Sequence, residues 1–338
     1  MPGVLLRRPP SALPDIQETI FRSTRVDGDA GAMRAAGTLP VMKGDQGKGT
    51  LVAFLVGAVI SSGNPIAVKF SNVELAPFWG ATLRFTFAAG LMLIVMALLR
   101  LPFPRGRALF GAVLYGVFNF GLAFACLFYA LVELGAGFLQ ILLAVIPLIT
   151  LLLVVVQRLE RLRAAAVTGA VIAFVGVLLM SQIALDASIS VTTILVAMAA
   201  AFCLAEGAVL VRIFPPDHPV SLNAVGMTVG AVVLFIGSLL AGDDMVLPRL
   251  TETWLALAYM VVIGSGVVFV LWVYVLKRWE ASRAAYNFVL LPPITLFFSH
   301  FITGEEVGIE LIFGGILILI GVYIGALRPV PHLEDVPV

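Results

Sequence analysis

Glu206 is a carboxylate within an apolar run from about 190 to 211. An isolated charge inside a bilayer costs about 2.5–3.5 kcal/mol on insertion scales, so it needs a partner, water or a task. It could bind a substrate amine or carry a coupling proton; the plainer alternative is a salt bridge to Arg212. Asn64, Asn119, Gln140 and Asn287 also sit in apolar surroundings. Each amide offers two donors and an acceptor, to a solute or to a neighbouring helix. Trp272 could stack on a ring or cap an ammonium group. Pro147 and Pro292 each lie midway along an apolar run, where a missing N–H breaks the helix and frees a carbonyl. There is no phosphate-cradling glycine loop before a lysine, no pair of histidines at metal-ligand spacing and no redox-spaced cysteine pair. These residues suit recognition of a small molecule, with proton coupling open, and imply no catalytic residue, cofactor or metal.

The elements that hold them are set by composition. The chain has 338 residues, 61% hydrophobic and 12% charged, against about 45–50% and 25% in soluble domains. Ten apolar spans follow an N-terminal segment: about 51–71, 77–99, 108–131, 135–156, 164–183, 190–211, 220–241, 253–276, 284–303 and 308–327. Most are about 20 residues, enough to cross about 30 Å of hydrocarbon as helices, which satisfy their own backbone groups. The fold class expected is an all-α integral membrane protein of ten transmembrane helices. Residues 1–48 carry scattered arginines and lysines among Pro, Gly and Asp without an apolar period, and read as a disordered cytoplasmic tail. Met33 and Met42 leave a downstream start open. Residues 328–338 form a second cytoplasmic tail.

The spans repeat. Pro147, Thr150, Glu160, Gly169 and Gly176 return as Pro292, Thr295, Glu305, Gly314 and Gly321, a constant offset of 145 residues, and upstream Gly121 and Phe124 return as Gly266 and Phe269. The halves are 49–183 and 190–327, five spans each. Alternate loops are basic (Arg100, Arg105, Arg107; Arg158, Arg161, Arg163; Lys277, Arg278, Arg283) or acidic (Glu74, Glu133, Asp186, Asp243, Asp244, Glu305, Glu306). The excess of lysine and arginine marks the cytoplasmic side and puts both termini there. An odd number of spans inverts the second copy, as in transporters built from inverted repeats.

Asn64-Pro65, Lys69, Pro77, Arg84, Pro147, the Glu160 loop and Gly169/Gly176, with Pro292, Glu305 and Gly314/Gly321, resemble the ten-helix EamA family of the drug/metabolite transporter superfamily over about residues 50–327. Where members often carry a tryptophan-glycine pair in the first helix, this chain reads Val59-Ile60-Ser61-Ser62-Gly63. The resemblance implies a secondary transporter in a bacterial inner (plasma) membrane, an exporter of amino acids or other small metabolites by alternating access to a central cavity. It places helices 3, 4, 8 and 9 around that cavity. Asn64, Asn119, Gln140, Glu206, Trp272 and Asn287 are then the expected substrate contacts, with Pro147 and Pro292 the helix breaks and gates. The partners expected are a small-molecule substrate and lipid, not nucleic acid, and the chain could act as a monomer.

Other residues have structural readings. Arg84, seven residues into its span, is expected to snorkel to the outer surface, alone or with Lys69 as a basic mouth for anions. Trp79, Trp254 and Trp279 suit an interfacial belt, and His300 an interface hydrogen bond. Gly169, Gly176, Gly314, Gly315 and Gly321 with Ala170 and Ala173 form small-residue seams. A nucleotide-sugar or other organic-solute carrier is the nearest alternative, and a channel or membrane-embedded enzyme the alternative from another class.

Overall fold

A computed structural model describes residues 48–180, 190–303 and 309–327. The described residues are helical, with no strand among them. The helices are α1 (Lys48–Ser61), α2 (Asn64–Ser71), α3 (Pro77–Leu98), α4 (Arg107–Tyr115), α5 (Ala123–Leu143), α6 (Ile146–Val156) and α7 (Ala164–Met180). There follow α8 (Val191–Ile213), α9 (Pro219–Ala241), α10 (Thr251–Val261), α11 (Val268–Leu276), α12 (Ala281–Ala284), α13 (Asn287–Thr303) and α14 (Ile309–Val322). Among the described residues, six helical stretches are long and apolar enough to cross a membrane: Lys48–Ser71, Pro77–Leu98, Arg107–Leu131, Val191–Ile213, Pro219–Ala241 and Thr251–Leu276. The other four expected spans correspond to shorter helices, α6, α7, α13 and α14. This is an integral membrane protein.

Three boundaries differ from the sequence reading. The expected loop at Glu133 is not a break, because α5 runs through it from Ala123 to Leu143. No proline lies between 123 and 143, and Gly135 and Gly137 weaken a helix by only about 1 kcal/mol each without ending it. The interruption falls at Ala144 and Val145, before α6, whose second residue is Pro147. Pro292, expected to break its helix as Pro147 does, lies with Pro293 inside a continuous α13. The two missing N–H groups leave the Phe288 and Val289 carbonyls without their helical donors, yet the helix continues to Thr303. The first span, expected whole, turns at Ser62 and Gly63, because Pro65 cannot donate to the Ser61 carbonyl. There the Ser61 and Ser62 hydroxyls donate back to the Gly57 and Ala58 carbonyls at 2.6 and 2.7 Å.

Two π-helical turns, Gly116–Leu122 between α4 and α5 and Val262–Val267 between α10 and α11, stand at nearly equivalent places in the 145-residue repeat. Their wider turns are common at functional sites. A third, Tyr323–Leu327, closes α14.

α7 and α14 pack through glycine. A Cβ on Gly169 would lie 2.6 Å from the Gly321 carbonyl oxygen, and one on Gly176 would lie 2.7 Å from that of Gly314. The first glycine of α7 meets the last of α14, so the two helices run antiparallel. Gly315, expected in this seam, has nothing within 4 Å of its would-be Cβ and is not part of it.

The loops tie together in two sets. Among the basic ones, Lys277 Nζ donates to Pro216 O at 2.8 Å and Arg163 pairs with Glu280 at 3.0 Å. The Glu160 carboxylate accepts from the Ala281 N–H at 2.7 Å and from the Ser282 hydroxyl. Among the acidic ones, Glu74 accepts from the Arg249 and Leu250 N–H groups at the start of α10, and Asp243 accepts from the Trp79 N–H at the start of α3. Each of these carboxylates satisfies helix-terminal donors of a different element. Trp79 Nε1 donates to Val246 O at 2.7 Å, whereas Trp279, expected in an interfacial belt, is buried against Phe54 with ring centroids 5.1 Å apart.

Candidate functional site

A cavity of about 250 Å³ lies within the bundle, lined from both sequence repeats. α1, α2, α3, α5 and the first π turn contribute from one, α8, α11, α13 and the second π turn from the other. Its wall is mostly apolar, with Phe124, Phe128, Leu143, Leu204, Phe269 and Phe288 prominent. The polar groups on it are Ser61, Asn64, Arg84, Asn119 and Asn287. An apolar chamber with a few converging polar groups is the usual form of a small-molecule site.

Asn119 rides on the first π turn, 2% exposed, and its Nδ2 has no hydrogen-bond partner among the described residues. Across from it Gly207 leaves room: a Cβ there would sit 2.8 Å from Asn119 Oδ1. Its counterpart in the repeat is Gly264, on the second π turn, where a Cβ would overlap Asn64. Both asparagines belong to the first repeat and both glycines to the second, so an asparagine faces a glycine at two contacts between the repeats. Asn287 opens α13 and donates to Phe54 O at 3.2 Å, and Trp272 packs edge-on against Phe288 at 5.5 Å. Four of the six expected substrate contacts, Asn64, Asn119, Trp272 and Asn287, therefore line one cavity.

The other two do not join them. Glu206 is absent from the wall; its carboxylate accepts from Gln157 Nε2 at 3.1 Å. Arg212, its alternative partner, instead donates to the Leu276 carbonyl. Gln140 lies on α5, its side chain outside the described residues, as is that of His300. Pro147 is buried at the start of α6, away from the wall.

Arg84 overturns its expected role. Only 3% exposed, it does not snorkel. Nε donates to Ser265 Oγ at 2.9 Å, and Nη2 to Gly264 O at 3.2 Å and Asn64 Oδ1 at 3.3 Å. The guanidinium lies over the Phe85 and Phe124 rings at 5.2 and 5.6 Å. Lys69 is exposed at the end of α2 and forms no mouth with it. Position in the sequence could not show this, because two of the partners, Gly264 and Ser265, lie 180 and 181 residues away in the other repeat.

Nearer the basic loops lie packed aromatic side chains that are not part of the cavity wall. Phe54, Trp279 and Tyr286 are buried there, and the Tyr286 hydroxyl donates to Ala166 O at 2.5 Å.

A family model described as the EamA-like transporter family matches residues 48–182 and again residues 191–326. The chain belongs to that family. Curated relatives of this EamA-like transporter include an uncharacterized transporter of Archaeoglobus fulgidus, 25% identical over 76% of this chain and 91% of its own. The uncharacterized transporter YyaM of Bacillus subtilis is 28% identical over 75% and 86%. A protein of Salmonella typhimurium named as a probable amino-acid metabolite efflux pump is 27% identical over 82% and 94%. A solved crystal structure superposes with a TM-score of 0.69, covering 82% of this chain and 96% of its own; at 19% identity it supports the fold. Membership settles the broad class: the protein is a membrane transporter of a small molecule, not an enzyme.

Proposed function

We propose that this EamA-like transporter is a secondary carrier that exports amino acids or related small metabolites by alternating access to the central cavity. The observation that carries the reading is the cavity itself, walled from both sequence repeats and holding two asparagines of the first repeat, each set against a glycine of the second. In this reading Asn64, Asn119, Trp272 and Asn287 contact the solute and the buried Phe54, Trp279 and Tyr286 close the path at the basic end. Pro147, at the break before α6, then serves as the gating proline, while Pro292 lies inside the continuous α13.

Inversion of the halves is part of the proposal. Under the 145-residue offset Gly169 corresponds to Gly314 and Gly176 to Gly321. Gly169 meets Gly321 and Gly176 meets Gly314, the pairing a two-fold operation in the membrane plane would give, with equivalent helices antiparallel. The basic loops support a reading in which both termini face the cytoplasm of a bacterial cell. Amino acids as cargo rest on the Salmonella relative's name and on the asparagine amides, which can serve an ammonium and a carboxylate alike.

Reconstitution into proteoliposomes tests the reading: uptake of a panel of amino acids, with and without a pH gradient. Saturable flux of at least one amino acid is expected. No flux of any solute across the panel would overturn it.

A further inference from the structure

Among the described residues, Arg84 is a buried cation without a counter-charge. The ion pair found among them is Arg163 with Glu280, at the basic loops, and none of their carboxylates lies within ion-pair distance of Arg84. Three neutral groups hold the guanidinium by one edge: Ser265 Oγ on Nε, and Gly264 O and Asn64 Oδ1 on Nη2. Nη1 has no acceptor among the described residues, and Arg84 is on the cavity wall. A cation inside a membrane protein is costly unless paired, and the Nη1 N–H groups remain to donate a charge-assisted hydrogen bond to a carboxylate. The second π turn makes the setting: Gly264 lacks the Cβ that would displace Asn64, and its carbonyl and the next hydroxyl, Ser265, both turn to Arg84. Phe85 and Phe124 shield the guanidinium from below.

We infer that Arg84 is the anion-recognition group of the cavity, taking the carboxylate of an organic acid or amino acid whose apolar body lies against Phe124, Phe128 and Trp272. This deepens the proposed function and rests on it for the statement that the bound molecule is cargo. The cavity, about 250 Å³, fits a molecule the size of an aromatic amino acid rather than a nucleotide sugar.

The purified full-length chain in lipid nanodiscs provides the test. Its probes are 3-phenylpropionate, which has the carboxylate without the amine, and phenethylamine, which has the amine without the carboxylate. Binding is read by calorimetry and by the fluorescence of Trp272 on the wall. The acid is expected to bind at least about ten-fold more tightly than the amine, the scale of one charge-assisted contact. Arg84→Gln should weaken the acid by about ten-fold and leave the amine unchanged; Arg84→Lys, which keeps the charge but cannot serve Ser265, Gly264 and Asn64 and still present a free N–H in the same plane, should fall between. A role confined to bridging helices would not make the protein distinguish the two probes. Equal binding, preference for the amine or no binding of the acid by the unaltered protein overturns the inference, however the variants fold. So does undiminished acid binding by a monodisperse Arg84→Gln protein. Arg84-dependent acid binding without flux of any solute would remove the transporter reading and leave the anion site; amino-acid flux unchanged in Arg84→Gln would do the reverse.

Discussion

Gly169 and Gly321 touch backbone to backbone: a Cβ on Gly169 would lie 2.6 Å from the Gly321 carbonyl oxygen and 2.6 Å from the Gly325 nitrogen. Neither obstacle can swing aside, because both are main chain. Gly176, against the Gly314 carbonyl and the Ile318 nitrogen, is equally confined. Gly169→Ala and Gly176→Ala should therefore each destabilise the fold by about 1–3 kcal/mol, the usual cost of overpacking. Gly315→Ala, on the open side of the partner helix α14, should cost nothing and gain slightly from helix propensity. Thermal unfolding in detergent, followed by size-exclusion fluorescence, compares the three. Equal losses at Gly315 and Gly176 would show that the seam is not where the tight packing lies.

Asn119 sets stability against function. Its Nδ2 is buried with no partner among the described residues, so the amide costs the fold desolvation that no protein hydrogen bond returns. Asn119→Leu, with the same branching and number of side-chain heavy atoms but no amide, should leave the melting temperature unchanged or raise it while lowering solute flux by about ten-fold, one lost hydrogen bond to cargo. Flux and melting temperature falling together would mark Asn119 as a packing residue.

How much of this was legible in the sequence follows from the range of the interactions. Span lengths, the 145-residue repeat and the glycine seam are local or periodic, and a single chain displays them. Asn64, Asn119, Trp272 and Asn287 stood out because a polar group in hydrocarbon is conspicuous wherever it points. Which way it points depends on the other helices. Arg84 reads in the sequence as free to snorkel, whereas Ser265 and Gly264 hold it inside the bundle; Glu206 lies off the cavity wall with Gln157 on its carboxylate, an orientation that no local pattern displays. The π turns had no signature beyond ordinary glycines. Pro147 and Pro292 are equivalent by offset but not by structure, since a helix can absorb a proline where neighbours hold it.

Glu206 lies outside the cavity wall, so removing its charge should affect solute binding little. If it carries the coupling proton, Glu206→Gln should keep the dissociation constant within about two-fold and reduce stimulation by a pH gradient by about ten-fold. Binding by calorimetry and flux in proteoliposomes with an imposed gradient separate the two. Retention of full gradient-driven flux would leave Glu206 as no more than the partner of Gln157.

Two loop carboxylates should give stability slopes of opposite sign. Burial pushes the Glu160 carboxyl above its ordinary value, opposed in part by the hydrogen bond from Ser282. The folded protein therefore holds that proton more tightly than the unfolded chain does. The resulting stability is fully present below the ordinary carboxyl pKa of about 4.5 and is lost as pH rises through the raised value. Glu74 is the reverse case: the Leu250 N–H, first among several donors, holds its carboxyl below the ordinary range. Its contribution is present above about pH 4.5 and is lost as pH falls through the lowered value. Melting temperatures measured from pH 4 to 8 should therefore respond differently to two variants. Glu160→Gln, which cannot ionise, should remove part of any decline in stability toward neutral pH. Glu74→Gln, which can no longer serve the start of α10 as an anion, should melt lower than the unaltered protein at neutral pH and approach it at acid pH. If Glu74→Gln is as stable as the unaltered protein at pH 7, the cap at the start of α10 contributes nothing. If Glu160→Gln leaves the pH profile unaltered, the carboxyl is not held away from its ordinary range and the contact with Ala281 and Ser282 is no tighter than a solvated loop.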